Sequence, residues 1–163
     1  MSLPIIAIVG ATGTQGGSVV NALLSDEFKT RWAVRALTRN PDSDAAKALV
    51  ARGATVAKID LNDPSTIAPA FAGAAAVFAV TNVFGLAAHG PYFEEVQGNA
   101  MADAAKAAGV RHFVWSTLAD VERMSGGKYS VPFFTAKARV AAYTRAIGLP
   151  STYVHAGFYM SNF

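Results

Sequence analysis

Two stretches of the chain combine residue types and spacings that bear on chemistry. The first, Gly10-Ala11-Thr12-Gly13-Thr14-Gln15-Gly16, directly follows an apolar run and directly precedes an amphipathic one. In that setting Gly10 permits a tight strand-to-helix turn, Gly13 lets the backbone approach a diphosphate without a side chain between, and Gly16 lets the helix lie close to the strand. Free amides at the start of a helix favour an anion, and the helix dipole adds about 0.3–1 kcal/mol. No Gly-Lys-Ser/Thr follows, which excludes a Walker-type loop. The second stretch runs from Tyr129 to Lys137. A Tyr and a Lys four apart share one helix face, where the ammonium depresses the phenol and prepares it to protonate a carbonyl oxygen. Here Phe133 stands four residues before Lys137, and a phenyl ring has no proton to give. Tyr129 lies too far upstream for the same helical register, so only a fold-back of its loop would bring it near. Lys137 is left as the candidate catalytic group, either as a donor to a ribose or as a base if burial lowers its pKa.

The end of a second strand decides which ribose such a loop serves, because an acid there accepts from a 2′-hydroxyl and repels a 2′-phosphate. This chain reads Arg35-Ala36-Leu37-Thr38-Arg39-Asn40-Pro41, with no acid at the turn. Arg39 is placed to hydrogen-bond a 2′-phosphate, so the sequence predicts NADP(H) over NAD(H). Asp60, followed by Leu61, is placed to meet an adenine edge, or else to cap the helix that follows. Ligands in an open α/β sheet bind beyond the carboxyl ends of the strands, which makes Thr81-Asn82-Val83-Phe84-Gly85 and Ser116-Thr117-Leu118 the expected pocket walls. His89 reads as a solvated loop residue, and no metal-ligand spacing joins it to His112 or His155. No metal site is expected.

The elements that must position these groups follow from periodicity. Short apolar runs at 4–9, 32–37, 55–59, 76–80, 112–116 and 152–155 alternate with stretches of helical period. That alternation predicts an α/β fold of Rossmann type, a doubly wound parallel sheet in the order 3-2-1-4-5-6, formed by a single domain over 1–163. The first helix is expected to bury Val19, Val20, Leu23 and Leu24, with Asn21 and Ser25 outward. A long helix over 92–108 is expected to bury Phe93, Val96, Ala100, Met101, Ala104 and Ala108, and to end at Gly109. With 52% apolar and 15% charged residues among 163, the chain reads as a packed globular domain. It has no cysteine, which removes disulfides and thiolate chemistry. The formal charge of +3 is dispersed, arguing against direct nucleic-acid binding, and no run is long enough to span a membrane. The expected address is cytoplasmic or nuclear. The aromatic tail from Gly157 to Phe163 has nothing after it to pack on, and is expected to be exposed, mispacked or covered by another chain, giving a route to oligomers.

Taken together these marks resemble the NmrA-like family of atypical short-chain dehydrogenases. They are Gly-Ala-Thr-Gly-Thr-Gln-Gly-Gly-Ser-Val from Gly10, Val-Arg-Ala-Leu-Thr-Arg-Asn-Pro from Val34, Asp60, Thr81-Asn82, His-Phe-Val-Trp-Ser from His112, and Lys137. The resemblance covers the whole chain. It implies an NADP(H)-binding Rossmann domain, frequently without turnover, acting as a redox sensor whose affinity for a regulatory protein partner changes with cofactor state. The alternative is an NADPH-dependent reductase of a small carbonyl, quinone or imine. Carried over by position, Gly10, Thr12, Gly13, Thr14, Gln15 and Gly16 form the phosphate loop. Arg39 meets the 2′-phosphate, Asp60 and Leu61 flank adenine, and Lys137 touches the ribose. Family members continue past the segment matching Gly157, so the resemblance is to a member whose substrate-closing segment is missing.

Overall fold

The computed structural model describes residues 2–82, 90, 92–157 and 159–160. Six strands form one sheet: β1 Ile5–Val9, β2 Ala33–Thr38, β3 Thr55–Lys58, β4 Ala74–Ala79, β5 His112–Thr117 and β6 Ser151–His155. Every pairing is parallel, and the order is β3-β2-β1-β4-β5-β6, as the alternation of runs predicts. The helices are α1 Thr14–Leu23, α2 Asp44–Ala51, α3 Ile67–Phe71, α4 Phe93–Ala107, α5 Val121–Met124 and α6 Pro132–Ala146.

A parallel sheet needs cover on both faces, and the period-2 geometry of the strands divides the side chains between two cores. Ile6 and Ile8 of β1 join Val20 of α1, Leu49 of α2, Val34, Ala36 and Phe78. Ala7 and Val9 point the other way, into a core with Leu37, Phe71, Val77, Met101, Phe113, Trp115 and Val140. On α1, Val20 is fully buried, Val19, Leu23 and Leu24 pack half-buried, and Asn21 is exposed, while Ser25 is half-buried.

The long helix departs from expectation. Its buried residues are Glu94, Gln97, Gly98, Met101, Ala102 and Ala105, whereas Val96 is 60% exposed. Met101 is where the apolar pattern puts it, and Ala100, Ala104 and Ala108 pack half-buried against the core, but the inward stripe also runs through two polar residues that have partners. Gln97 Nε2 donates to Asn62 Oδ1 (2.9 Å), and Glu94 faces Lys137. The helix ends as expected at Gly109 (φ +70°), where the amides of Gly109 and Val110 reach back to the carbonyls of Lys106 and Ala105.

Where α4 crosses α6, Gly98 is the contact. A Cβ there would lie 2.4 Å from Val140 Cγ2 and 3.2 Å from Trp115 Cη2. Gly98→Ala is therefore expected to push α4 off α6 and to lower stability by about 1–3 kcal/mol, read as a reduced denaturation midpoint in urea.

Candidate functional site

Because the strands are parallel, their carboxyl ends share one edge, and the order reverses between β1 and β4, where a crevice opens. Gly10 leaves β1 with φ +66°. The turn closes through Gly13 N–H donating to Gly10 C=O (2.9 Å), and the next bond runs from Gly17 N–H to Gly13 C=O (2.8 Å). Gly13 is the N-cap, offers no side chain, and no acid sits in the first turn. The amides of Thr14, Gln15 and Gly16 are thus left without a backbone acceptor among the described residues, which is the arrangement an anion requires. Gly16 is buried against the turn, and a Cβ on it would meet Gly10 O at 2.3 Å and Val9 O at 2.7 Å. Only glycine fits. A cleft of about 300 Å³ opens beside the loop, lined by Thr12, Gly13, Thr14, Gly17, Ser18 and Asn21 with Ala45 and Leu49 of α2. These features fit a diphosphate held by backbone.

Gln15 is fixed from both sides. Its Oε1 accepts from Ser116 Oγ (2.6 Å) at the end of β5, and its Nε2 donates to the Tyr159 hydroxyl. Tyr159 is half-buried on Gln15 of the same chain, so the tail is not exposed at that residue, while Met160 is 84% exposed. Phe158, Ser161, Asn162 and Phe163 lie outside the described residues, as do Val83, Phe84, Gly85 and His89.

Arg39 follows β2, is exposed, and makes no hydrogen bond or ion pair with a described residue. Arg35, by contrast, points along the sheet to the carbonyls of Ala70 (3.0 Å) and Ala72 (2.7 Å) and is structural. Asp60 does not cap the following helical turn. Its Oδ1 accepts from Asn62 N–H (3.0 Å), and Asp63 takes the capping place on Ser65. Leu61 is half-buried against the core, and Asn82 is exposed beyond β4.

Thr81 and Lys137 meet, and with them a residue the sequence reading missed. Lys137 Nζ donates to Thr81 Oγ1 (2.7 Å) and Thr81 O (3.1 Å), and Glu94 Oε1 lies 2.9 Å from it. The ammonium stands 5.6 Å from the Trp115 ring centroid. Burial pushes the Lys137 pKa below its ordinary value, and the Glu94 carboxylate opposes that shift. Phe133 is 39% exposed and edge-on to Phe134 at 4.9 Å, while Tyr129 is 57% exposed beside Lys128. Neither puts a phenol against Lys137. A second cleft, about 290 Å³, lies over Asp120, Glu122, Arg123, Thr135 and Arg139, none of them residues of the glycine turn. Arg139 and Arg123 are paired there with carboxylates. Among the described residues no three or more His, Asp or Glu cluster as metal ligands, and no helix is long and apolar enough to cross a membrane.

A six-stranded parallel sheet in this order, with a glycine turn and bare helix N-terminus at its point of reversal, defines a Rossmann-type fold. Residues 4–163 match the model of the NmrA-like family, and the chain belongs to that family. Among its relatives is the NmrA-like family domain-containing oxidoreductase FrzB of Cladobotryum sp, 36% identical over 168 residues, covering 98% of this chain and 48% of the relative. The fold is shared with NmrA, a negative transcriptional regulator solved in complex with NADP (32% identity, TM-score 0.82, 99% of this chain and 48% of that one) and also with NAD. It is shared too with Citrobacter sp. triphenylmethane reductase complexed with NADP(H) (25% identity, TM-score 0.80, 97% and 51%). The chain spans about half the length of the curated relatives it matches.

Proposed function

We propose that this chain is an NADP(H)-binding domain that reports cofactor state to a protein partner without turning the cofactor over. The diphosphate is held by the amides of Thr14, Gln15 and Gly16, the 2′-phosphate by Arg39, the adenine edge by Asp60 and Leu61, and the nicotinamide ribose by Lys137 near Thr81 and Asn82. The observation that carries the non-catalytic half of this reading is Phe133, which leaves the helix face of Lys137 with no proton donor. Support for the cofactor comes from the bare N-terminus of α1 and from the NADP-bound relatives. The expected result is that NADPH binds in calorimetric titration, yet its absorbance at 340 nm stays at background with a panel of quinones, aldehydes and imines. Turnover of any of them overturns the non-catalytic reading, and no binding at millimolar NADPH overturns the whole.

One observation favours the second reading, an NADPH-dependent reductase. The Ser116–Gln15–Tyr159 chain brings a phenol to the carboxyl edge of the sheet from outside the Tyr/Lys helix. On that reading Tyr159 hands its proton to the carbonyl oxygen of an acceptor as a hydride reaches the carbonyl carbon, and Tyr159→Phe loses the activity that wild type shows.

A further inference from the structure

From the geometry around Lys137 we infer that Glu94 is a positioning residue: it supplies the countercharge that keeps Lys137 a cation inside the protein, the state in which it meets a bound dinucleotide. This rests on the reading of Lys137 as a cofactor-binding group.

An ammonium carries three donors. Two are used on one residue, Thr81, through its hydroxyl and its carbonyl. Glu94 Oε1 sits 2.9 Å from Nζ, closing an ion pair across the space between α4 and α6. Coulomb attraction at that distance balances the charge of the ammonium inside the protein. The Trp115 face adds a second non-directional contact. The backbone of Lys137 is held as well, its carbonyl accepting from Trp115 Nε1 (2.9 Å) and Thr117 Oγ1 (3.1 Å). The lysine therefore enters from a fixed point on α6, and its head is aimed at the end of β4, beside the reversal of strand order.

Stability does not account for the pair. Apolar residues of similar volume fill such a space as well as a buried ion pair or better. Glu94 is 1% exposed, and as a lone buried carboxylate it is unfavourable. Among the described residues, the groups that face Lys137 are Glu94 from α4, Thr81 after β4, and the Trp115 ring from β5. Arg139 on its own helix turns away to Glu95 and Glu122. Among the described residues, then, Glu94 is the titratable side chain in contact with the ammonium.

The test is carried out on the full chain as wild type, Glu94→Gln, Glu94→Asp and Lys137→Met. The Lys137 13Cε resonance is assigned by its absence from Lys137→Met, its titration is followed by NMR, and NADPH affinity is measured from pH 6 to 9.5. With burial unopposed, Glu94→Gln is expected to move the lysine midpoint down by about one pH unit or more. NADPH affinity then falls about tenfold across the interval in which the lysine discharges, a decline wild type shows only at higher pH. Glu94→Asp, which keeps the charge but retracts it by one methylene, restores most of the midpoint and gives the reading if Glu94→Gln does not fold. A midpoint unchanged by loss of the carboxylate overturns the role of Glu94. A Lys137→Met chain that binds NADPH like wild type overturns the assignment of Lys137 to the cofactor instead.

Discussion

Arg39→Ala is expected to weaken NADPH binding by about ten- to a hundredfold while changing NADH binding less than about threefold. A hydrogen bond to a charged group contributes about 1.5–3 kcal/mol, and each 1.4 kcal/mol is one decade. The proposed role is open to Arg39 because nothing described competes for it: the guanidinium is exposed just past β2, with neither ion pair nor hydrogen bond to a described residue. Arg35, four residues earlier, is spent on two carbonyls and offers no substitute. The fold alone does not impose the choice, since NmrA is solved with NADP and with NAD. Selectivity must then be local. Arg39→Lys should retain part of the preference, because an ammonium keeps the charge but loses the bidentate fork. The check is parallel calorimetric titration of both cofactors. Equal losses with NADPH and NADH would show that Arg39 does not touch the 2′-phosphate. Added salt should erode the wild-type preference, because an exposed pair is screened.

What was legible in the sequence is what local pattern encodes. The strands followed from alternating runs, and the glycine turn from its place between a strand and a helix, because each depends on neighbours a few residues away; the strand order, a long-range property, followed from the right-handed crossover rule. The polar part of the inward face of α4 was not legible by hydropathy, since Glu94 and Gln97 are buried by virtue of partners on α6 and after β3. A signal did exist. Glu94, Gln97, Met101 and Ala105 share one helical stripe, and an acid on a buried stripe asks for a cation elsewhere, with Lys137 already singled out. Gln15 belonged to the expected loop, but its attachment to Ser116 and Tyr159 comes from three separate elements, which no spacing rule connects.

Lys137→Met should produce the largest stability loss of any single change at the site, about 3–5 kcal/mol at pH 8. The substitution keeps the bulk and removes the cation, so Glu94, 1% exposed, becomes an uncompensated buried charge. Folding of the variant must then be accompanied by proton uptake at that carboxyl. While the folded variant holds more protons than the unfolded chain, its unfolding free energy falls with rising pH, so the deficit opens from about pH 4 upward and levels off once the folded carboxyl is ionised. Wild type behaves oppositely at the alkaline end. Its lysine pKa is lowered in the fold, so between that value and 10.5 the unfolded chain binds more protons and stability rises with pH, a rise that Lys137→Met lacks. Adding Glu94→Gln to Lys137→Met removes the stranded charge and should recover most of the loss at pH 8, with little gain at pH 4. Urea denaturation of wild type, Lys137→Met and the double variant at pH 4, 6, 8 and 9.5 reads all of this. A single variant within about 1 kcal/mol of wild type at pH 8 would mean that water reaches Glu94, and that α4 and α6 do not enclose the pair.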